Sequence, residues 1–194
     1  MQDRHGYARS WKERTGGRVL GYFCTYLPEE IVYAVGVLPV RIMGSHEPQD
    51  VTEPYLYGGF CPFCRDCLAQ GLLGRYDYVE GVAIARSCVH IYQAFDSWQR
   101  HLPVSYSYYL SMPARVTIPS APGYLRAELV RFQRSLEEWM GVPIPDESLD
   151  RAIDIYNTNR RLMREVYELR RGDSPSISGT QAMEMVLSGM FMDK

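Results

Sequence analysis

Apolar and polar positions fall into two kinds of segment along the first hundred residues. Short apolar runs at residues 18–24, 37–43, 78–85 and 104–109 read as buried strands. Between them lie segments with helical signals. Pro28-Glu29-Glu30 opens one that ends near Gly36, since proline suits the first turn and acidic residues complement the positive end of the dipole. A second covers residues 61–73, with Gly74 as its stop, and a third covers 90–100. A tyrosine-rich loop precedes the second. Strand and helix in repeated order require crossover connections. The expected fold class is therefore α/β, a Rossmann- or flavodoxin-like, mainly parallel sheet with flanking helices, followed by a helical segment.

The pattern changes after residue 110. Pro113, Pro119, Pro122 and Gly123 give residues 111–123 the composition of a connection. Leu125, Leu129, Phe132, Leu136 and Trp139 then recur at spacings of three and four, as on one face of a helix. Asp146 is placed to cap a second helix running to about Arg171, with Leu149, Ile153, Tyr156, Met163 and Val166 or Tyr167 on its buried face. Ser178 and Gln181 have the spacing of a capping box. They start a third helix, which includes Met185, Val186, Leu187, Met190 and Phe191 and is expected to need a cover. The expected organisation is thus an α/β unit over 1–110, a proline-rich connection over 111–123 and a helical segment over 124–194.

Composition narrows the function. The chain has 194 residues, with 21 basic against 23 acidic, which disfavours a nucleic-acid binder because such proteins carry a basic excess. Nineteen of the basic residues are Arg, the residue suited to fixed ion pairs and phosphate contacts. The longest apolar run, 31–40, is interrupted by Gly36 and Pro39 and falls short of the ~20 residues of a membrane span. Met-Gln-Asp-Arg-His-Gly at the start lacks the apolar core of a signal peptide, so the expected location is cytoplasmic.

The cysteines carry the sharpest chemical signal. Five is an odd number, and in a reducing compartment metal binding or redox chemistry is a better reading than a disulfide framework. Cys61-Pro-Phe-Cys64-Arg-Asp-Cys67 is followed by Cys88, 27 residues after Cys61. Thiolates so spaced can wrap zinc or an iron–sulfur cluster. Cys67 is not followed by the Cys-Pro of a bacterial ferredoxin, and no second Cys-x-x-Cys pair supports a zinc ribbon. Cys61 and Cys88 each stand at the start of a predicted helix, on the ligand-bearing edge of a parallel sheet. Helix N-termini favour thiolates and anionic groups. The plainer reading makes all of these cysteines small buried residues. Cys24, inside a predicted strand, is read as such a residue. His90 is a candidate proton donor or hydrogen-bond partner of a ligand, its plainer role being a helix cap.

These residues resemble one family. Gly21-Tyr22-Phe23-Cys24-Thr25-Tyr26-Leu27-Pro28-Glu29-Glu30-Ile31, continuing from Ala34 to Arg41, is similar to the N-terminal motif of the 2-hydroxyacyl-CoA dehydratase family. Cys61-Pro62, Tyr76-Asp77-Tyr78 and Ser87-Cys88 match its two N-terminal cluster cysteines in order and spacing, and 156–161 matches a later helix. Within the family, 45–50 and 61–67 look most like a catalytic subunit of the ATP-dependent benzoyl-CoA reductases. The resemblance implies a [4Fe-4S] cluster beside an acyl-CoA substrate, held by three cysteines. Cys61 and Cys88 would be two of these, with Cys64 and Cys67 as additional candidates. It also implies a second homologous catalytic subunit and a separate ATP-hydrolysing iron–sulfur activator that supplies electrons. The reductases pass those electrons into the benzoyl-CoA ring to give a cyclic dienoyl-CoA. The dehydratases use one recycled electron to expel hydroxide from a 2-hydroxyacyl-CoA through a ketyl radical. The family's third cluster cysteine lies in a second α/β domain, and this chain has no cysteine after Cys88. The expectation is an N-terminal half, its helical segment leading toward an absent second α/β domain. A non-catalytic fragment serving binding or assembly is the alternative.

Overall fold

The computed structural model describes residues 4–194. Residues 1–3, part of the stretch read above for a signal sequence, lie outside the described residues. In chain order the elements are α1 (Arg4–Thr15), β1 (Val19–Phe23), α2 (Glu29–Ala34), β2 (Leu38–Arg41), a short 3₁₀ turn (Asp50–Thr52), α3 (Pro62–Leu72), β3 (Gly81–Ala85), α4 (Val89–His101), β4 (Tyr106–Leu110), α5 (Ala121–Met140), α6 (Asp146–Glu168) and α7 (Gly179–Ser188). The strands pair in the order β2-β1-β3-β4, every pair parallel. This is the doubly wound α/β arrangement expected. The chain leaves β1 toward β2 on one side and returns as β3 on the other, so the order reverses between β1 and β3. Ligands of such sheets gather beyond the carboxyl ends of the strands at that reversal.

The central strands are apolar on both faces because helices cover both. Val19 and Phe23 of β1 and Val82 and Ile84 of β3 share a core with Leu68 of α3 and with Phe95 and Trp98 of α4. Leu20, Tyr22, Ala83 and Ala85 face the other way, against Val32 of α2 and Phe132 and Leu136 of α5. Trp98 organises the first core. Its ring meets Phe23 edge-on at 5.5 Å, an arrangement worth about 0.5–1.5 kcal/mol beyond its burial. A Cβ on Gly71 would lie 2.7 Å from the same ring, so glycine is what lets α3 approach α4 here.

Helix α1 has no counterpart in the sequence reading. Its residues are mostly polar and only Ala8 is buried, so no apolar stripe announces it. Ala8 joins the first core with Tyr7 and Trp11 packed against it, and polar contacts add to this: Arg4 donates to the Gly44 carbonyl at 2.7 Å, and Arg9 pairs with Asp77 while lying 5.0 Å from the Tyr78 ring centre.

Several boundaries and faces also differ. Strand β3 begins at Gly81 rather than at residue 78: Tyr78 and Val79 are buried from a turn in which the Val79 N–H bonds the Tyr76 carbonyl. Helix α5 takes Pro122 and Gly123 into its first turn. Pro145, not Asp146, occupies the cap position of α6, and no side chain caps it. On α6 the buried stripe is Ala152 and Tyr156, which packs against Tyr33 of α2, whereas Ile153 and Tyr167 are exposed. The capping box at Ser178 and Gln181 forms as read. The apolar end beyond it is partly covered by this chain's own sheet. Phe191 is buried in the first core, Leu187 and Met190 pack against that core, and the Arg41 N–H bonds the Met190 carbonyl at 2.9 Å.

Candidate functional site

The carboxyl edge of the sheet collects the candidate residues. Cys61 is the cap residue of α3, with Pro62 fixing the first helical position. Cys88 is the cap residue of α4, its sulfur accepting a hydrogen bond from the Ile91 N–H at 3.5 Å. The two helix starts are tied together: the Cys61 N–H donates to Nδ1 of His90 at 2.9 Å. Since Nδ1 accepts, the neutral ring carries its proton on Nε2. Phe60 packs edge-on against this imidazole at 4.9 Å. His90 therefore orients the backbone of one cysteine from the helix of the other.

The four cysteines of the motif live under different conditions. Cys61 is half-buried, and the N–H groups of Cys64 and Phe63 hold its thiol below the usual cysteine range. Cys88 is exposed. Cys64, one turn into α3, is buried. Its thiol is pushed up by that burial first, then by the neighbouring Cys61, to which it is hydrogen-bonded, and by Cys88. Cys64 is thus in hydrogen-bond contact with Cys61 and within electrostatic reach of Cys88 and Cys67. Cys67 does not join them as a surface ligand. It is fully buried, donates to the Ile42 carbonyl at 3.8 Å, and is pushed up to about 12, chiefly by burial. It fills the core.

Two further residues of this edge differ from the sequence reading or are not singled out by it. Cys24 lies just past β1, not inside it, in left-handed backbone at φ 66°. Burial raises its thiol, but hydrogen bonds with Ser87 and Thr25 outweigh that and bring it below the usual range. Its link to Ser87, the residue before Cys88, sets it at the β1–β3 reversal. Asp66 is a nearly fully buried carboxylate between Cys64 and Cys67. It accepts from the N–H groups of Ser45 and His46 at 2.9 and 2.8 Å and from the Gln70 amide at 3.2 Å. The 44–46 turn is thereby pinned to α3. Its carboxyl sits where a Cβ on residue 44 would stand, so that position must be Gly44. The Asp66 turn has no sequence signature, because its backbone partners Ser45 and His46 are some twenty residues away.

Thiols on two neighbouring helix N-termini are suited to an anionic metal–sulfur group, because backbone N–H groups and the dipoles favour negative charge there. Among the described residues, no three His, Cys, Asp or Glu side chains form a complete metal-holding group. Nor is any helix among them long and apolar enough to cross a membrane.

Fold and edge together define a doubly wound α/β protein with paired cysteines at its ligand-bearing end. Residues 24–194 match the family model described as 2-hydroxyglutaryl-CoA dehydratase, D-component, and the chain belongs to this 2-hydroxyacyl-CoA dehydratase family. It is 30% identical over 188 residues to a benzoyl-CoA reductase subunit of Thauera aromatica, covering 95% of this chain and 49% of that one. It is 26% identical over 188 residues to the (R)-phenyllactyl-CoA dehydratase beta subunit of Clostridium sporogenes, covering 97% of this chain and 50% of that one. With the beta subunit of (R)-2-hydroxyglutaryl-CoA dehydratase of Acidaminococcus fermentans the identity is 23% over 184 residues, covering 92% and 48%. The chain spans about half the length of these curated relatives.

Proposed function

We propose that this chain forms part of an iron–sulfur catalytic subunit that reduces the aromatic ring of benzoyl-CoA to a cyclic dienoyl-CoA. The observation that carries the reading is the pairing of Cys61 and Cys88 at adjacent helix starts, joined through His90. In this reading Cys61 and Cys88 hold a [4Fe-4S] cluster. In this reading the site takes at least one further ligand, for which Cys64, hydrogen-bonded to Cys61, is a candidate in this chain, whereas Cys67 lies in the core. When bound, the cluster supplies single electrons at low potential to the thioester-activated substrate. The chain's own residues set the conditions. Helix N-termini stabilise the cluster's charge, and His90 keeps Cys61 oriented. The partners in this reading are a second homologous catalytic subunit and an ATP-hydrolysing iron–sulfur activator.

The second reading is radical dehydration of a 2-hydroxyacyl-CoA, favoured by the matching family model and by the dehydratase subunits among the relatives. Product analysis separates the two. The complete complex, purified anaerobically with its activator and ATP, is incubated with benzoyl-CoA or with a 2-hydroxyacyl-CoA. A cyclic dienoyl-CoA from the first and no enoyl-CoA from the second supports the reductase; the converse supports the dehydratase.

A further inference from the structure

Helix α3 opens with two cysteines in unlike positions. Cys61 stands at the cap position in non-helical backbone, φ −49° and ψ 127°, and Pro62 follows at the first helical position. The Arg65 N–H bonds the Cys61 carbonyl at 3.1 Å, which fixes this start. The Cys61 sulfur meets the N–H groups of Phe63 and Cys64 and the thiol of Cys64. It is half-buried, and its neighbours Pro62 and Phe63 are exposed, so a small molecule can reach it from solvent. Cys64 is 2% exposed, in contact with Cys61 but closed to solvent.

The placement suits a bond between the two sulfurs. Side chains three residues apart on a helix have Cβ atoms about 5–6 Å apart. A disulfide needs about 3.5–4.5 Å. Cys61 lies outside the regular helix, so a small rotation there closes the gap without unwinding α3. The other cysteines are placed less well. Cys67 donates to the Ile42 carbonyl, and Cys88 opens another helix, with its sulfur bonded by the Ile91 N–H. Toward Cys64 these two act through charge alone, whereas Cys61 is hydrogen-bonded to it. A Cys-x-x-Cys pair that opens a helix of a βαβ framework, one thiol accessible and the other closed off, is suited to dithiol exchange.

We propose that, in the chain free of metal, Cys61 and Cys64 form a thiol–disulfide exchange pair that takes low-molecular-weight disulfides as its oxidant. The Cys61 thiolate attacks one sulfur of the small disulfide, breaks its S–S bond and releases one thiolate. The Cys64 sulfur then attacks the mixed disulfide at Cys61, which forms the Cys61–Cys64 bond and releases the second thiolate. The two protein thiols lose two electrons and the small disulfide gains them. The two thiol protons end on the two small thiols. Excess small thiol runs the same steps backward. The disulfide keeps in reversible form a sulfur that would otherwise be open to irreversible oxidation. The inference needs neither the cluster nor the thioester of the reading above.

The test is peptide mass spectrometry of the complex, stripped of metal with a chelator, reduced, and then exposed to glutathione disulfide without air. Cleavage after Arg41 and Arg65 puts Cys61 and Cys64 on one peptide, 42–65, apart from Cys24, Cys67 and Cys88. In the unaltered protein this peptide becomes lighter by two hydrogens, carries no glutathione, and regains them with dithiothreitol. In Cys64→Ser, Cys61 keeps one glutathione. In Cys61→Ser, Cys64 takes up glutathione at least about tenfold more slowly than Cys61 does in Cys64→Ser. Cys67→Ala behaves as the unaltered protein does. Should either serine variant unfold, as circular dichroism reports, peptide 42–65 of the unaltered protein decides alone. Glutathione remaining on Cys61 of the unaltered protein, or a disulfide from Cys61 to Cys24, Cys67 or Cys88, overturns the pair. Either outcome leaves the cluster reading standing, because that reading needs thiolates and no disulfide.

Discussion

Cys61 and Cys67 stand six residues apart on one helix and share a side chain, yet they occupy opposite environments. Cys61 caps α3 at the carboxyl edge, half-buried, with backbone N–H groups turned toward its sulfur. Cys67 is sealed between α3 and the Ile42 carbonyl, where burial holds its proton on. Spacing alone would give both to a metal. The fold separates them: a helix N-terminus stabilises a thiolate, and an apolar core opposes it. Being a candidate ligand is thus a property of the position on the sheet edge.

Thiol alkylation in the metal-stripped protein sharpens this comparison most strongly. Cys88, Cys61 and Cys24 react first with iodoacetamide, Cys61 and Cys24 at lower pH than an ordinary cysteine, while Cys64 and Cys67 are modified orders of magnitude more slowly, only through opening of the fold. Peptide mass spectrometry over time reads the order, and early labelling of Cys67 contradicts it. The next effect is on stability. Asp66→Ala leaves the N–H groups of Ser45 and His46 without their acceptor and costs about 2–4 kcal/mol, read by denaturant unfolding. His90→Ala removes the acceptor of one N–H and costs about 1–2 kcal/mol. It also weakens iron retention by about 10–100-fold, an effect that Asp66→Asn does not share if the Cys61 orientation is what matters.

The smallest effect lies on the opposite face of the sheet. Glu29 at the start of α2 has its carboxyl pushed up by burial, against the opposing pull of Lys194 and of a hydrogen bond from Tyr22. A raised folded value means that its contribution favours folding fully below the ordinary carboxylate range and is lost as pH rises through the raised value. Stability of the native protein therefore declines across that window, and Glu29→Gln flattens the profile. An unchanged pH profile in the variant counts against this burial cost.

Much of this architecture is legible in the sequence. The central strands β1 and β3 stand out because both faces of a parallel sheet are covered there, which leaves near-continuous apolar runs such as 81–85. The starts of α3 and α4 are legible from Cys61-Pro62 and from the Ser87-Cys88 break. What is not legible depends on distant polar partners. Helix α1 sets only Tyr7, Ala8 and Trp11 against the core and is otherwise held by Arg4, Arg9 and Lys12 against residues 44, 77 and 80, and polar anchors leave no period. The His90–Cys61 bond spans 29 residues, and the Asp66 turn about twenty. Cys24 departs from its expected place in the strand for a related reason. The apolar run continues into it, but the backbone turns left-handed there and carries the side chain out of the strand toward Ser87.

The most direct measurement is iron and acid-labile sulfide in the anaerobically purified complex, compared among the unaltered protein, Cys61→Ser, Cys88→Ser and Cys67→Ala. About four of each per cluster are expected in the unaltered protein and in Cys67→Ala, and their loss from this subunit in Cys61→Ser and Cys88→Ser. Full iron and sulfide in Cys61→Ser or Cys88→Ser, or their loss in a folded Cys67→Ala, contradicts the assignment of the cluster to the two helix starts.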